Sequence, residues 1–362
     1  DELLTCLASL ATAPARKASR QADVPIDTGP HIRVGRLHVQ KHIESESGSS
    51  IHAARQTYDA AVGQAEQLWF QSVAEGTVDP TLAKTVVEGL AQAVGQNRRA
   101  MVALTALCRY DNYTFTHMVN VSVLTMTQAQ SLGIEGQPLR QFGLAGLMHD
   151  IGKIKVPPEI LKKTSKLTDG EFEIMKCHPV DGAEILRRQL ELPPLAAVVA
   201  FEHHLRIDGT GYPGKVRRNS LNLATQLCSI ADIYDAMRSQ RAYQQAFPTD
   251  RILTVLQQAD GQRFDQRLVR RFAQLMGIYP PGNLVRLDTG ALAVVVKTHA
   301  PDPTKPAVRV ITDPDGARLD RPVELALWEE GEASAPPPQI VTPVDPAEFG
   351  FDPLTLLDGR AP

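Results

Sequence analysis

The spacing of apolar residues predicts helices over the first half of the readable chain. From about residue 53, apolar side chains recur every three or four positions, which is the period of one face of an α-helix. This stripe consists of Tyr58, Val62, Ala65, Trp69 and Val73. Asp79 and Pro80 then offer an N-cap and a proline at the first helical position of a second helix. We predict a helical hairpin or stalk over residues 51–110. Packing on the next domain is favoured, and a homodimer through these helices is compatible with it.

The helical period continues through residues 111–280, for which we predict an all-helical domain. Thr168 followed by Glu171 is a capping box, and the helix that it starts is expected to carry His178. Asp250 and Asp265 are expected to cap the last two helices of this domain.

Beyond residue 280 the pattern changes to short apolar runs separated by turn residues, which is typical of strands. We predict strands at 284–287, 291–297, 308–311 and 323–327, forming a small β-meander over residues 281–330. Residues 331–362, rich in Pro, Ala and Glu at their start, are predicted to be a flexible tail. Residues 1–50 show no clear period and are predicted to be irregular. The predicted fold class is therefore mainly α, with a helical N-terminal extension and a small β-rich C-terminal segment.

Charge and cysteine usage exclude several classes of protein. A net charge of -3 does not favour a DNA-binding protein or a polybasic membrane anchor. The four cysteines are far apart, which argues against a disulfide framework and suits a reducing cytoplasm. No run approaches the roughly 18 apolar residues of a membrane span, so we predict a cytoplasmic location. Because the first residue is Asp1 rather than methionine, the sequence is consistent with a fragment.

The candidate chemistry lies in a set of histidines and aspartates spread over successive predicted helices. The set consists of His117, His149, Asp150, His178, His203, His204 and Asp232. Imidazole and carboxylate suit zinc, iron or manganese. A single helical histidine is more often a core residue than a ligand, but Asp232 lies in an apolar run, where an unpaired carboxylate is costly. Seven ligands are too many for one catalytic ion with an open site, and they fit two ions bridged by a carboxylate and a hydroxide.

The order of these motifs resembles that of the HD-GYP family, a branch of the HD phosphohydrolases, over about residues 112–276. The matching motifs are His149-Asp150-Ile151-Gly152-Lys153, His178-Pro179, His203-His204, Asp208-Gly209-Thr210-Gly211-Tyr212-Pro213 and Ala231-Asp232-Ile233-Tyr234-Asp235-Ala236. The resemblance implies an HD-type helical bundle with two divalent ions, iron or manganese. It also implies a phosphodiesterase that hydrolyses cyclic di-GMP to pGpG, GMP or both.

The resemblance also implies roles for individual residues. It assigns His117, His149, Asp150 and Asp232 to one ion, and His178, His203 and His204 to the other, with Asp150 bridging both. It implies that Lys153 acts beside Asp150 in catalysis and meets a substrate phosphate. Gly211, Tyr212 and Pro213 would form the substrate loop, and Arg241 would contact phosphate or guanine. The same loop would serve as the contact for diguanylate-cyclase-type protein partners.

Three positions depart from the family pattern. Tyr113 stands where some members have a glutamate for a third metal, which favours two ions here. Gln244 replaces a cation that meets the substrate, and Leu205 replaces a glutamate. Two alternatives therefore stay open: a phosphohydrolase of another nucleotide, including other cyclic dinucleotides, and a cyclic di-GMP receptor or partner-binding module with little turnover. The intact ligand set argues against the receptor, whereas Gln244 keeps it open.

Overall fold

The computed structural model describes residues 51–105, 113–214, 220–238, 247, 249–258, 262–329, 337–351 and 353–357. The irregular region predicted for residues 1–50 lies outside these ranges, as do Arg241 and Gln244. Among the described residues, no helix has the length and apolar character needed to cross a membrane.

Helices make up most of the described chain. In order they are α1 (Ile51–Glu75), α2 (Pro80–Gln96), α3 (Arg98–Thr105), α4 (Tyr113–Ser131), α5 (Gly136–Met148), α6 (Pro158–Leu161), α7 (Asp169–Met175), α8 (His178–Arg187), α9 (Pro194–Glu202), α10 (Leu223–Arg238), α11 (Thr249–Gln258) and α12 (Gln266–Met276). A short 3-10 helix, Ile151–Lys155, follows α5. The predicted mainly helical fold class is confirmed.

Most of the predicted caps are present. The Asp79 carboxylate accepts hydrogen bonds from the first backbone N–H groups of α2. Thr168 forms its capping box with Glu171, and Asp265 caps α12. Helix α11 begins at Thr249, so Asp250 lies inside its first turn and not at the expected N-cap position, and the Asp250 side chain lies outside the described part of the chain.

The helix that Thr168 starts is also shorter than predicted. It ends at Met175, and His178 begins the next helix, α8. The expectation that the helix started by Thr168 extends to His178 was therefore wrong. The chain turns at Lys176 and Cys177, between α7 and α8.

Two apolar clusters hold the helices together. One joins α1 and α2 to α4 and α5 through side chains that include Leu68, Leu90 and Leu147. The other joins α10, α11 and α12 to α4, and Tyr234 and Phe272 meet edge to face in it at 5.0 Å. Helix α4 contributes to both clusters and is central to the bundle. Residues 51–105 therefore share a core with the helices that follow them.

The C-terminal segment is an antiparallel sheet in the order β4-β3-β2-β1-β5. Its strands are β1 (Leu284–Leu287), β2 (Leu292–Lys297), β3 (Ala307–Thr312), β4 (Arg318–Ala326) and β5 (Ile340–Val344). Consecutive residues of β1 enter different clusters: Leu284 packs with Val294 and Ile311 on one face, whereas Val285 packs with Ala293 and Val308 on the other.

The sheet corrects the flexible tail predicted for residues 331–362. Strand β5 pairs with β1, with Leu284 opposite Val344, and a short helix, α13 (Pro353–Leu357), follows. Its residue Leu356 is buried against the sheet. The tail prediction was therefore wrong for these residues, because the edge of β1 supplies a hydrogen-bonding partner that the local composition does not reveal.

Candidate active site

Three histidines of the predicted set are held in the same way by the backbone. The ring Nδ1 atoms of His149, His178 and His203 lie 2.8, 2.7 and 2.8 Å from the carbonyl oxygens of Gly146, Met175 and Ala200. Each carbonyl lies three residues earlier, in the last turn of a helix, where carbonyls lack an intrahelical donor. Because a carbonyl only accepts, Nδ1 carries the proton and Nε2 presents a lone pair.

His117 is held by side chains instead. Its Nδ1 lies 2.7 Å from Asp235 Oδ2, and its Nε2 lies 3.2 Å from Asp232 Oδ1. The two aspartates lie three residues apart on α10, so they share one helix face. Burial would lower the pKa of His117, but hydrogen bonds to Asp232 and Asp235 outweigh it and raise this pKa to about 9.

The Asp150 carboxylate lies between two pairs of histidines. Its Oδ2 atom is 3.3 Å from His149 Nε2 and 3.8 Å from His117 Nε2. Its Oδ1 atom is 3.2 Å from His178 Nε2 and 3.6 Å from His203 Nε2. Each oxygen therefore faces a different pair, which is the arrangement that a carboxylate bridging two cations requires.

All seven predicted metal ligands meet at this carboxylate. Ligand atoms of His117, His149 and Asp150 lie within 4.8 Å of one another, and the same holds for Asp150, His178, His203 and His204. Asp232 joins the first group through its Oδ1 atom, 3.2 Å from His117 Nε2 and 3.9 Å from His149 Nε2.

The donor set fits divalent cations. Nε2 of His178 and Nε2 of His203 lie 3.2 Å apart, and both face Asp150 Oδ1. With Nδ1 protonated and the rings neutral, these are contacts between acceptors, which a shared cation makes favourable. Buried His149 Nε2 and Asp150 Oδ1 have no hydrogen-bond partner within the described part of the chain, which is costly unless something else binds them. The site can therefore hold metal ions.

The charge states suit the same interpretation. Burial would raise the pKa of Asp150, but Lys153 and neighbouring histidines hold it well below its usual value. Burial likewise opposes ionisation of Asp232, yet His117 and His149 keep its pKa low. Burial lowers the pKa of His203 and His204. The anionic carboxylates and the neutral His203 and His204 rings are the forms that ligate metals, whereas His117, with its raised pKa, would release a proton on binding a metal.

The predicted substrate loop folds back over the second group of ligands. Leu205 and Gly211 form a β-bridge, and the Tyr212 N–H donates to the His204 carbonyl at 3.4 Å. The Tyr212 ring lies 4.4 Å from the His204 ring, and Phe172 of α7 meets Tyr212 edge to face at 6.2 Å. Gly211 and Tyr212 therefore border the histidine and aspartate set, and Pro213 follows them in the same loop.

Of the other residues singled out in the sequence, the structure describes the side chains of Lys153 and Leu205. The Lys153 ammonium lies at the site and donates to Asp150 Oδ2. Leu205 is buried. Tyr113 is the first residue of α4, but its side chain lies outside the described part, and so do Arg241 and Gln244.

Two further residues lie at the site without having been predicted from the sequence, Asp235 and Arg263. Asp235 is fully buried and orients His117; its position in an apolar helix carried the same signal that singled out Asp232. Arg263 lies near the loop: burial lowers its pKa, Arg206 lowers it further, and Asp232 and Tyr212 oppose both effects. No motif in the sequence marked Arg263.

Fold and site together define a helical-bundle protein with a buried histidine–aspartate centre that could bind metal ions. A family model described as HD domain matches residues 83–268, about half of the chain. The chain belongs to the HD domain family, and the resemblance seen in its sequence is confirmed. A second model, described as a KOW domain associated with HD domain, matches residues 284–349, the region of the sheet.

Two relatives are similar to this chain in sequence, and one solved structure is similar to it in fold. A cyclic di-GMP phosphodiesterase of Pseudomonas aeruginosa is 36% identical over 275 residues, covering 76% of this chain and 63% of the relative. A 3'3'-cGAMP-specific phosphodiesterase of Vibrio cholerae is 35% identical over 146 residues, covering 40% and 32%. An HDG"Y"P protein from Bdellovibrio bacteriovorus shares the fold, with a TM-score of 0.52 and 19% identity over 63% of this chain and 73% of its own. The chain thus spans less than two thirds of the length of these two relatives.

Proposed function

We propose that this protein is a metal-dependent phosphodiesterase that hydrolyses cyclic di-GMP to pGpG, GMP or both, thereby lowering signalling by this second messenger. The observation that carries the proposal is the position of Asp150 between two pairs of histidine Nε2 atoms. Paired divalent ions stabilise both the attacking and the leaving oxygen in phosphoryl chemistry. The name of the Pseudomonas relative supports cyclic di-GMP as the substrate.

We assign the ligands in two groups that share Asp150. The first group adds His117, His149 and Asp232, and the second adds His178, His203 and His204. A set of imidazoles and carboxylates without thiolate supports iron or manganese. When bound, two such ions supply the positive charge and Lewis acidity that cleavage of a phosphodiester needs.

The remaining assignments concern groups that touch the substrate. Lys153 already donates to Asp150, and its ammonium has further donors for a phosphate oxygen. Tyr212 and Phe172 present ring faces and edges beside the ligands, which suits a nucleobase. Arg241 stays a predicted phosphate or guanine contact. The homodimer through the N-terminal helices and the diguanylate-cyclase-type partner at the loop also stay predictions.

The domain division proposed for the chain follows from this function. We assign catalysis to residues 111–280, which contain all seven ligands. Helices α1 and α2 lie within the 51–110 extension and complete the apolar core behind the site.

The test combines metal analysis with turnover of cyclic di-GMP by protein purified without oxygen. We expect about two iron or manganese ions per chain and hydrolysis to pGpG or GMP. Asp150→Ala should lose metal and at least about a hundredfold in kcat, more than the loss typical of residues that only orient a ligand. Asp181→Ala is the matched control, because Asp181 is a surface carboxylate paired with Lys155. No hydrolysis by metal-loaded wild type, or full activity in Asp150→Ala, would refute the proposal.

A second candidate substrate is 3'3'-cGAMP, which the name of the Vibrio relative favours. The same assay with both dinucleotides separates the two candidates by kcat/KM. Tight binding of cyclic di-GMP with no turnover, by protein shown to contain metal, would instead support the receptor alternative.

A further inference from the structure

Four buried polar side chains form an unbroken line of hydrogen bonds from helix α1 to the proposed metal centre. The Tyr58 hydroxyl on α1 meets Asn120 Oδ1 on α4 at 2.6 Å. Asn120 Nδ2 donates to Asp235 Oδ1 on α10 at 2.8 Å. His117 Nδ1 lies 2.7 Å from Asp235 Oδ2. Asn120 and Asp235 are fully buried, and Tyr58 is 4% exposed.

The direction of each bond follows from the chemistry of the groups. Arg238 also donates to Asp235 Oδ1, at 3.1 Å, so this carboxylate serves as an acceptor on every side. Asn120 must therefore turn its NH2 group toward Asp235 and its oxygen toward Tyr58, which leaves the tyrosine hydroxyl as the donor. A reversed Asn120 amide would place its oxygen against the carboxylate. The Tyr58 hydroxyl favours the one amide orientation that lets Asn120 hold Asp235.

A buried tyrosine hydroxyl needs some partner in any protein core, so the bond to Asn120 alone means little. What distinguishes this line is where it ends. Asp235 holds His117 Nδ1, and that contact directs His117 Nε2 toward Asp232 and Asp150, at 3.2 and 3.8 Å. The line also begins outside the region that matches the HD domain family, residues 83–268.

We propose that Tyr58 is a positioning residue for His117, acting through Asn120 and Asp235. The inference rests on the proposed metal centre. If Tyr58 has this role, the metal affinity of the group containing His117 depends on helix α1. A change in the position of α1 would then change that affinity. Residues that orient metal ligands typically contribute about 10–100-fold in metal affinity or activity. Asp235 contacts His117 directly, whereas Tyr58 is two hydrogen bonds further along the line. Removing the Tyr58 hydroxyl is therefore expected to lower metal affinity by several-fold to about tenfold.

The test is a Mn²⁺ titration of metal-free full-length protein carrying Tyr58→Phe. This change keeps the packed ring and removes only the hydroxyl. Ser72→Ala is the matched control, because Ser72 is a fully buried hydroxyl on the same helix, and among the described residues its hydrogen bond stays within that helix, to Leu68 O at 2.7 Å. We expect Tyr58→Phe to bind Mn²⁺ several-fold more weakly and to have a lower kcat with little change in KM. Ser72→Ala should match the wild type in both.

A double-mutant cycle separates positioning from general packing. If Tyr58 acts through Asn120, adding Tyr58→Phe to Asn120→Ala should cause no further loss of Mn²⁺ affinity. Additive losses, or wild-type Mn²⁺ affinity in Tyr58→Phe, would overturn the inference while leaving the metal centre intact. A wild-type protein that binds no Mn²⁺ would overturn the metal centre and the inference together.

Discussion

Gly152 lies directly against the backbone carbonyl of His178. A β-carbon at position 152 would come within 1.9 Å of that oxygen and 2.5 Å of the Gly182 nitrogen. This close approach seats the 3-10 turn after Asp150 on the first turn of α8. It thereby allows Asp150 Oδ1 to reach 3.2 Å from His178 Nε2. Position 152 thus requires glycine, because a side chain there would push Asp150 away from His178.

We predict that Gly152→Ala destabilises the protein and separates Asp150 from His178. Overpacking of this kind costs about 1–3 kcal/mol, so the midpoint of urea unfolding should fall, and metal content should fall with it. Gly63→Ala is the control, because Gly63 lies within α1 and a β-carbon there meets nothing within 4 Å. It should raise the free energy of unfolding by up to about 1 kcal/mol. Equal unfolding midpoints for the two variants would contradict the packing argument.

Gly211→Ala should impair substrate binding by displacing the loop. Its φ is +96°, and an added β-carbon would lie 2.2 Å from the His204 carbonyl oxygen. Gly209 has a φ of +81° but open space around it, so Gly209→Ala tests the backbone strain alone. We expect KM for cyclic di-GMP to rise much more in Gly211→Ala than in Gly209→Ala. Similar KM values would show that strain, and not the contact with His204, controls the loop.

Arg263→Gln should weaken binding of the anionic substrate. The Asp208 N–H of the loop donates to the Gln262 carbonyl oxygen at 3.0 Å, so Arg263, the next residue, follows a segment that contacts the loop, and its side chain is partly buried. Hydrogen bonds to charged groups contribute about 1.5–3 kcal/mol, which corresponds to a rise in KM of about 10–150-fold. Arg267→Gln removes the same charge from an exposed position paired with Asp265 and should leave KM near the wild-type value. If both substitutions shift KM equally, Arg263 has no specific role.

Acid should weaken the cap of helix α7. Lys163 and the Thr168 N–H bind the Glu171 carboxylate and lower its pKa from 4.5 to about 2. A group with a lowered folded-state pKa stabilises the fold above its unfolded pKa and loses that effect as pH falls toward the folded value. The difference in urea midpoint between wild type and Glu171→Gln should therefore be constant above about pH 5.5 and vanish between pH 4.5 and 2. A difference independent of pH would contradict this account.

The sequence predicted the helical fold from its apolar period, and it predicted the seven residues that meet at Asp150 from their joint order along the chain, which carries more information than any one of them. His149 and His203 follow apolar helices, and Asp232 interrupts one. Strand β5 escaped prediction because it depends on the edge of β1, more than 50 residues away in sequence. The contact from Tyr58 to Asn120 spans 62 residues and that from Asn120 to Asp235 spans 115. Side-chain pairs at such separations leave no periodic trace.

The way in which each histidine is held also decides how the site can change by mutation. His149, His178 and His203 take their orientation from backbone carbonyls, which no substitution removes. His117 takes its orientation from the Asp235 side chain, which a single codon change can alter. Natural variation can therefore tune the metal affinity at the group containing His117, while the group containing His178 and His203 keeps its chemistry. The two proposed metal positions would then diverge at different rates among descendants of this protein.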